Sequence, residues 1–273
     1  LHLPQYLSFL FTTKAVSDYT SVGCHTGLWN VKNNLYHPWV FAEGIDKKLS
    51  PLTSSPIAGE KDGIIIGTGL HDSSSALIPY LKKYAEPFLL ISTGTWCINL
   101  NPFNTEPLTP EELALDCLCY LQANGKPVKA SRIFLGKEHE YQTKRIATHF
   151  NVPEDFYKTI HVPSTDVLNN FIPSCMEGSG PLPQKQNKEW DITVFTTPAA
   201  AYTSLITGLT ALLATSIDLV NTVAINQFFI DGGFANNSLF KYYLQQYYKH
   251  ITITTVEFPQ ATALGAYLHI KQY

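Results

Sequence analysis

Three short segments carry residue types that could do chemistry. The first is Gly69-Leu70-His71-Asp72-Ser73-Ser74-Ser75, set between a β-branched run at 64–66 and a helical pattern. A carboxylate at the C-terminal end of a strand sits where α/β sheets hold ligands, and a helix N-terminus keeps it ionised and ready to take a proton. The same residues also read as a plain helix start, with Asp72 as N-cap and Ser73 to Ser75 satisfying backbone donors. The two readings are compatible. The second segment is Ile91-Ser92-Thr93-Gly94-Thr95-Trp96. A hairpin tip with Gly94 at positive φ, flanked by Thr93 and Thr95, places N–H and O–H donors where they could meet a phosphate. No Gly-Lys-Ser/Thr follows, so this is not a P-loop, and an ordinary turn is the alternative. The third is Phe229-Ile230-Asp231-Gly232-Gly233-Phe234-Ala235-Asn236-Asn237. Paired glycines let a flat ring or a phosphate lie against the backbone. The dinucleotide fingerprint G-x-G-x-x-G is absent, and helix capping is the other use for Asn236 and Asn237.

Composition narrows the field. The chain has 273 residues, 45% hydrophobic, enough for one large core or two modest ones. Charged residues make up 15%, with Lys+Arg 19 against Asp+Glu 22. With no basic excess, a nucleic-acid role is disfavoured. Five cysteines, an odd and sparse set, are not a disulfide framework, and Cys117 with Cys119 supplies only two of the ligands a zinc site needs. The histidines show no metal-ligand spacing, so no metal site is assigned. No run of some 18 apolar residues suggests a membrane span, and the first residues lack the basic lead of a signal peptide. A cytoplasmic, reducing setting fits. The chain opens directly into an apolar helical pattern, like the interior of a longer protein.

The elements that must position the three segments alternate between helix and strand, an α/β pattern. Helices are expected over 4–12, 73–84 (kinked at Pro79), 137–150, 199–220, 238–248 and 261–270. That over 199–220 is apolar on most faces and therefore buried. Strands are expected over 64–66 (buried), 87–92, 95–100, 118–122, 192–196, 227–230 and 251–256. Residues 17–30, 50–60 and 172–190 read as irregular or loop. A composition shift near 83–88 is the best candidate boundary.

In this serial order, SDYTSVGCHTGLWN, GLHDSSSAL, ISTGTW, IDGGFANNSLF and ATALGAY at 261–267 resemble the FGGY family of carbohydrate kinases. The resemblance implies a ribonuclease H-like, actin-like ATPase fold of two domains around a cleft. Residues 1–84 then match the C-terminal remnant of the first, sugar-side domain, and 85–273 the second, nucleotide-side domain. It implies ATP with Mg²⁺ as cofactors, a small-molecule sugar as partner, and transfer of a phosphoryl group to a sugar hydroxyl. Asp72 matches the general base, and His71 and Ser73 are sugar contacts beside it. Thr93, Gly94 and Thr95 match the phosphate-binding hairpin, and Gly232, Gly233 and Asn236 the adenosine-binding turn. HDSSSAL, STGTW and CHTGLW lean toward the rhamnulose- and fuculose-kinase side, hence a ketose such as a 6-deoxy-ketohexose or a pentulose. The resemblance also admits a homodimer.

Departures from the family pattern set further expectations. The N-terminal Asp-x-Gly-Thr/Ser motif for phosphate and magnesium is missing, and Phe234 stands where many members have a small residue. A non-catalytic fragment or pseudo-kinase of the same fold is therefore the alternative function, and a different actin-like ATPase is a third. On the leading reading the 273-residue chain alone would be poorly soluble and without detectable turnover. The apolar faces of its incomplete first domain would account for its low charge.

Overall fold

The computed structural model describes residues 1–24, 26–165, 168–176, 180, 188–221, 225–255 and 257–271. His25, Val256 and much of the loop expected over 172–190 lie outside them. The chain begins with helix α1 (Leu3–Thr12) and a hairpin of β1 (Ile57–Lys61) and β2 (Ile64–Gly67). Helix α2 (Asp72–Lys83) leads into a six-stranded sheet. Its strands are β3 (Phe88–Thr93), β4 (Cys97–Asn101), β5 (Cys117–Leu121), β6 (Pro127–Ile133), β7 (Gln227–Gly232) and β8 (Thr252–Thr255). Helices α3 (Leu135–Phe150), α4 (Pro198–Asp218), α5 (Ser238–Tyr247) and α6 (Ala261–Ile270) complete the frame. Spatial strand order is β8-β7-β3-β4-β6-β5, with β8, β7 and β3 parallel and the remaining pairs antiparallel.

The strand period of two divides the apolar residues of this sheet between two covered faces. On β3, Leu89 and Ile91 join one cluster with Phe228 and Ile230 of β7 and with Leu205, Leu209 and Leu213 of α4. Phe88 and Leu90 join the opposite cluster with Phe229, with Leu77 and Tyr80 of α2, and with Ala261 of α6. The result is helices on both sides of one sheet. Helix α4 starts under a Thr197 cap, whose side chain accepts the Ala200 N–H, with Pro198 at the first turn. By length and composition it could cross a membrane, yet 78% of its apolar window is buried inside the protein. It is a core helix.

Polar groups inside this core are paired. Asn101 and Asn104 Nδ2 donate to the Val220 carbonyl at 2.8 and 3.1 Å, satisfying the end of α4. Ser131 Oγ donates to Ser216 O at 2.6 Å, and Asn99 Nδ2 reaches Ser131 Oγ at 3.0 Å. Glu138, fully buried on α3, accepts the N–H groups of Ser174 and Cys175 and the amide of Gln142, tying the 174–176 segment to the helix.

Several expectations are corrected. Strand β6 was not anticipated, because buried Lys129 and Ser131 interrupt its apolar pattern; Lys129 is 4% exposed and paired with Glu112 at 2.5 Å. The expected loop over 50–60 gives way to β1 from Ile57 onward. The strand at 64–66 is real but not buried, since Ile64 and Ile65 are 65% and 52% exposed. Residues 192–196 form turns rather than a strand, with the Asp191 carboxylate accepting both the N–H and the hydroxyl of Thr193. Their apolar residues Ile192 and Phe195 plug the core beside Trp190 instead. Within 17–30, Asp18 caps a four-residue helix, Tyr19–Val22. Gly94 does not adopt positive φ, whereas Gly232 does, at 86°.

Helices α2 and α6 approach closely enough that Ser75 Oγ donates to the Thr262 carbonyl at 2.8 Å. A Cβ on Gly265 would lie 1.8 Å from the Ser75 carbonyl oxygen. Gly265→Ala is therefore expected to cost about 1–3 kcal/mol through forced separation of the helices. A thermal melt with unchanged midpoint would show that the two helices do not pack in this way.

Candidate functional site

The site is assembled from three turns at one end of the sheet. Strands β3 and β4 close a hairpin whose last pair is Thr93 with Cys97, and the Gly94 N–H donates to Trp96 O at 2.9 Å across the tip. Trp96 packs against Phe134, ring centroids 4.4 Å apart, and the Arg132 guanidinium covers it at 4.6 Å. Strand β7 runs parallel to β3 and ends with Gly232 opposite Thr93. The Thr93 hydroxyl joins the two. It donates to Asp231 O at 2.5 Å and accepts the Phe234 N–H at 3.0 Å. A Cβ on Gly232 would stand 2.0 Å from Thr93 O, so the contact requires glycine. The third turn is the start of α3. Lys137 N donates to Thr95 O at 3.2 Å, and a Cβ on Gly136 would stand 1.9 Å from Gly94 O.

These turns frame a cavity of about 600 Å³. Gly94 and Thr95 line it from the hairpin, Gly136 and His139 from α3, and Gly233, Phe234, Asn236, Asn237 and Ser238 from the turn leading into α5. Tyr157, Lys158, Ile160 and His161 close the remaining side. The cavity has two characters. The N-termini of α3 and α5 open onto it, so anions are favoured there, and Lys158, paired with Asp155 at 3.7 Å, lies in its wall. The rings of Tyr157 and Phe234 and the side chain of Ile160 form an apolar patch suited to a flat group. His139 stands between their rings, about 5.0 Å from each. Burial pushes its pKa down to about 4, so the ring is neutral near pH 7.

Of the residues predicted from sequence, Gly94, Thr95, Gly233 and Asn236 meet in this cavity. Thr93 and Gly232 do not line it; they form the joint beneath it. Asn237, not Asn236, caps α5, its side chain accepting the Phe240 N–H at 3.1 Å. Gly136, His139, Tyr157, Lys158, Ile160 and His161 were not singled out for this site. The one local signal was a glycine within the first turn of α3, where helix propensity disfavours it.

Asp72 occupies a separate position. It is the first residue of α2 and His71 is the N-cap, so Asp72 is not the cap. Its side chain is 77% exposed, and its Oδ1 accepts the Ser73 N–H at 2.6 Å. His71 Nδ1 lies 3.1 Å from the same oxygen. The His71 ring is held from behind. Cys24 Sγ is 3.1 Å from Nε2, the His71 N–H donates to Thr20 Oγ1 at 2.8 Å, and Tyr120 packs 5.7 Å away. Asp18 anchors Thr20 and is bound in turn by Gln5 at 2.9 Å. Burial lowers the His71 pKa and raises the Cys24 thiol to about 12, the Asp72 charge adding to the latter. Asp72 and Arg132 both act electrostatically on Cys24 and Tyr120. Asp72 does not line the cavity. Among the described residues no three His, Cys, Asp or Glu side chains cluster to hold a metal ion.

Comparison with known proteins agrees with this architecture. A carbohydrate kinase from Novosphingobium aromaticivorans superposes with a TM-score of 0.77 at 23% identity, covering 96% of this chain and 59% of its own. A ligand-bound xylulose kinase from Lactobacillus acidophilus gives 0.76 at 15%, covering 98% and 58%. A Plasmodium falciparum glycerol kinase with ADP gives 0.64 at 16%, covering 98% and 57%. The chain thus spans less than two thirds of each of these structures. A sequence search of curated proteins found no match. The family model for the C-terminal domain of carbohydrate kinase FGGY matches residues 85–273, and the chain belongs to that family.

Proposed function

We propose that this chain provides the nucleotide site and the proton-accepting carboxylate of an ATP-dependent sugar kinase. The observation that carries the reading is the cavity at 94, 136 and 233, where two helix N-termini and Lys158 face an apolar, ring-lined patch. A nucleotide has both matching parts, an anionic chain and a flat base. The phosphates would lie along Gly94 and Thr95, so that the terminal phosphoryl group passes the hairpin tip toward Asp72. There the acceptor hydroxyl oxygen bonds to phosphorus, the bond to the bridging oxygen breaks, ADP leaves, and the hydroxyl proton passes to the Asp72 carboxylate. Such transition states are loose, so positioning dominates and proton transfer comes late. His71 and Ser73 hold the carboxylate and border the sugar. No step is assigned to Mg²⁺, for which the described residues offer no ligand cluster.

The acceptor proposed is a ketose, on the motifs around Cys24 and His71 that lean toward the rhamnulose- and fuculose-kinase side. A cytoplasmic setting is favoured by five unpaired cysteines. Residues 1–84 are assigned to the sugar side and 85–273 to the nucleotide side. A second reading is a chain of the same fold that binds nucleotide without turnover.

In the active protein, Asp72→Asn is expected to lower kcat roughly 10²–10⁴-fold with little change in nucleotide affinity, measured by ADP release over a panel of ketoses. Near-normal turnover would remove Asp72 from the chemistry, and nucleotide binding with no turnover on any sugar would favour the second reading. The two adjacent glycines should separate structure from binding. Gly232→Ala, clashing with Thr93 at positive φ, lowers the melting temperature. At Gly233 a Cβ meets its nearest neighbour, Thr93 O, at 3.8 Å. Gly233→Val therefore folds and instead fills the cavity, weakening ADP by roughly tenfold to a hundredfold. Unchanged ADP affinity would place the nucleotide elsewhere.

A further inference from the structure

The hydrogen-bond direction around His139 can be read from its neighbours. Asn237 Oδ1 accepts the Phe240 N–H as the cap of α5, which fixes the orientation of the amide. Its nitrogen therefore faces Tyr202 Oη, at 2.7 Å, and donates to it. Tyr202 is fully buried, so its own hydroxyl proton needs an acceptor. Among the described residues that acceptor is His139 Nε2, at 3.1 Å. A neutral imidazole that accepts at Nε2 carries its proton on Nδ1. His139 lines the cavity, so its ring edge away from Tyr202 is the one offered to a ligand there. Tyr157, stacked on Tyr202 at 5.3 Å and 27°, and Phe234 hold the ring from both sides. The imidazole is thus fixed in place, in tautomer and in charge before any ligand arrives.

We propose that His139 reads the nucleotide base, its Nδ1–H donating to an acceptor nitrogen of an adenine ring that lies against Tyr157, Ile160 and Phe234. Asn237 and Tyr202 are positioning residues that act through it. This rests on the nucleotide reading above and adds to it the residue that selects the base. A fixed donor rewards a ring with a lone pair at that point, and a C–H there leaves the donor unpaired.

The test is calorimetric titration of the intact protein, its folding checked by a cooperative thermal melt, with ADP and with three deaza analogues, each replacing one ring nitrogen of adenine by C–H. One analogue is expected to bind about tenfold more weakly than ADP. In His139→Phe that difference disappears, because ADP falls to the level of the analogue. If all three analogues bind as ADP does, the assignment of His139 is overturned while the nucleotide site stands. If ADP itself fails to bind, both fall. A second measurement needs no substitution in the cavity wall. The ¹⁵N spectrum of the histidine-labelled chain should show a protonated Nδ1 and an unprotonated Nε2 for His139, with Tyr202→Phe releasing that preference. The opposite tautomer in the unsubstituted chain overturns the proposal.

Discussion

The cavity depends on one hydroxyl. Thr93 is 2% exposed, and its Oγ1 bonds in both directions to residues some 140 positions later in the chain, Asp231 and Phe234. A buried backbone N–H or carbonyl at a strand end must find a partner, and here a single side chain serves both the end of β7 and the turn that follows. Because β3 and β7 are parallel neighbours, both strands stop at the same level, and the hydroxyl fixes the glycine turn against the hairpin base. Gly232 and Gly136 then permit backbone approaches that any Cβ would prevent. The walls of the cavity are consequences of this joint.

Much of the frame was legible in the sequence because apolar period and element type agree there. The run 87–92 alternates between two buried faces, and 199–220 is apolar nearly all round, as a core helix must be. Strand β6 was not legible, since Lys129 and Ser131 resemble surface residues until their partners are known. Those partners, Glu112 and Ser216, lie 17 and 85 positions away. The run 192–196 failed in the opposite sense, apolar and β-branched yet used as a plug. In the site, the glycines at 94 and 233 and the acid at 72 stand out by type and local context. Lys158, Tyr157 and His139 do not, because their use is decided by the path of the chain between α3 and α4 rather than by their neighbours in sequence.

The low proportion of charge has a visible counterpart. Leu3, Leu7, Leu10 and Phe11 of α1 are each more than half exposed, and so are Ile64 and Ile65 of β2. The polar chain from Gln5 through Asp18 and Thr20 to His71 runs beneath this apolar surface and fixes the loop before α2. The N-terminal region is accordingly well ordered internally where it supports Asp72 and apolar where it faces outward.

The close contact between α2 and α6 bears on how Asp72 is held. Helix α2 lies on the sheet through Leu77 and Tyr80 and is locked to α6 where Gly265 meets Ser75. The acid at its tip is therefore packed into the same body as the hairpin and the glycine turn. The span from the carboxylate at 72 to the turns at 94 and 232 is set by this packing, like a gauge block whose length is fixed when the chain folds.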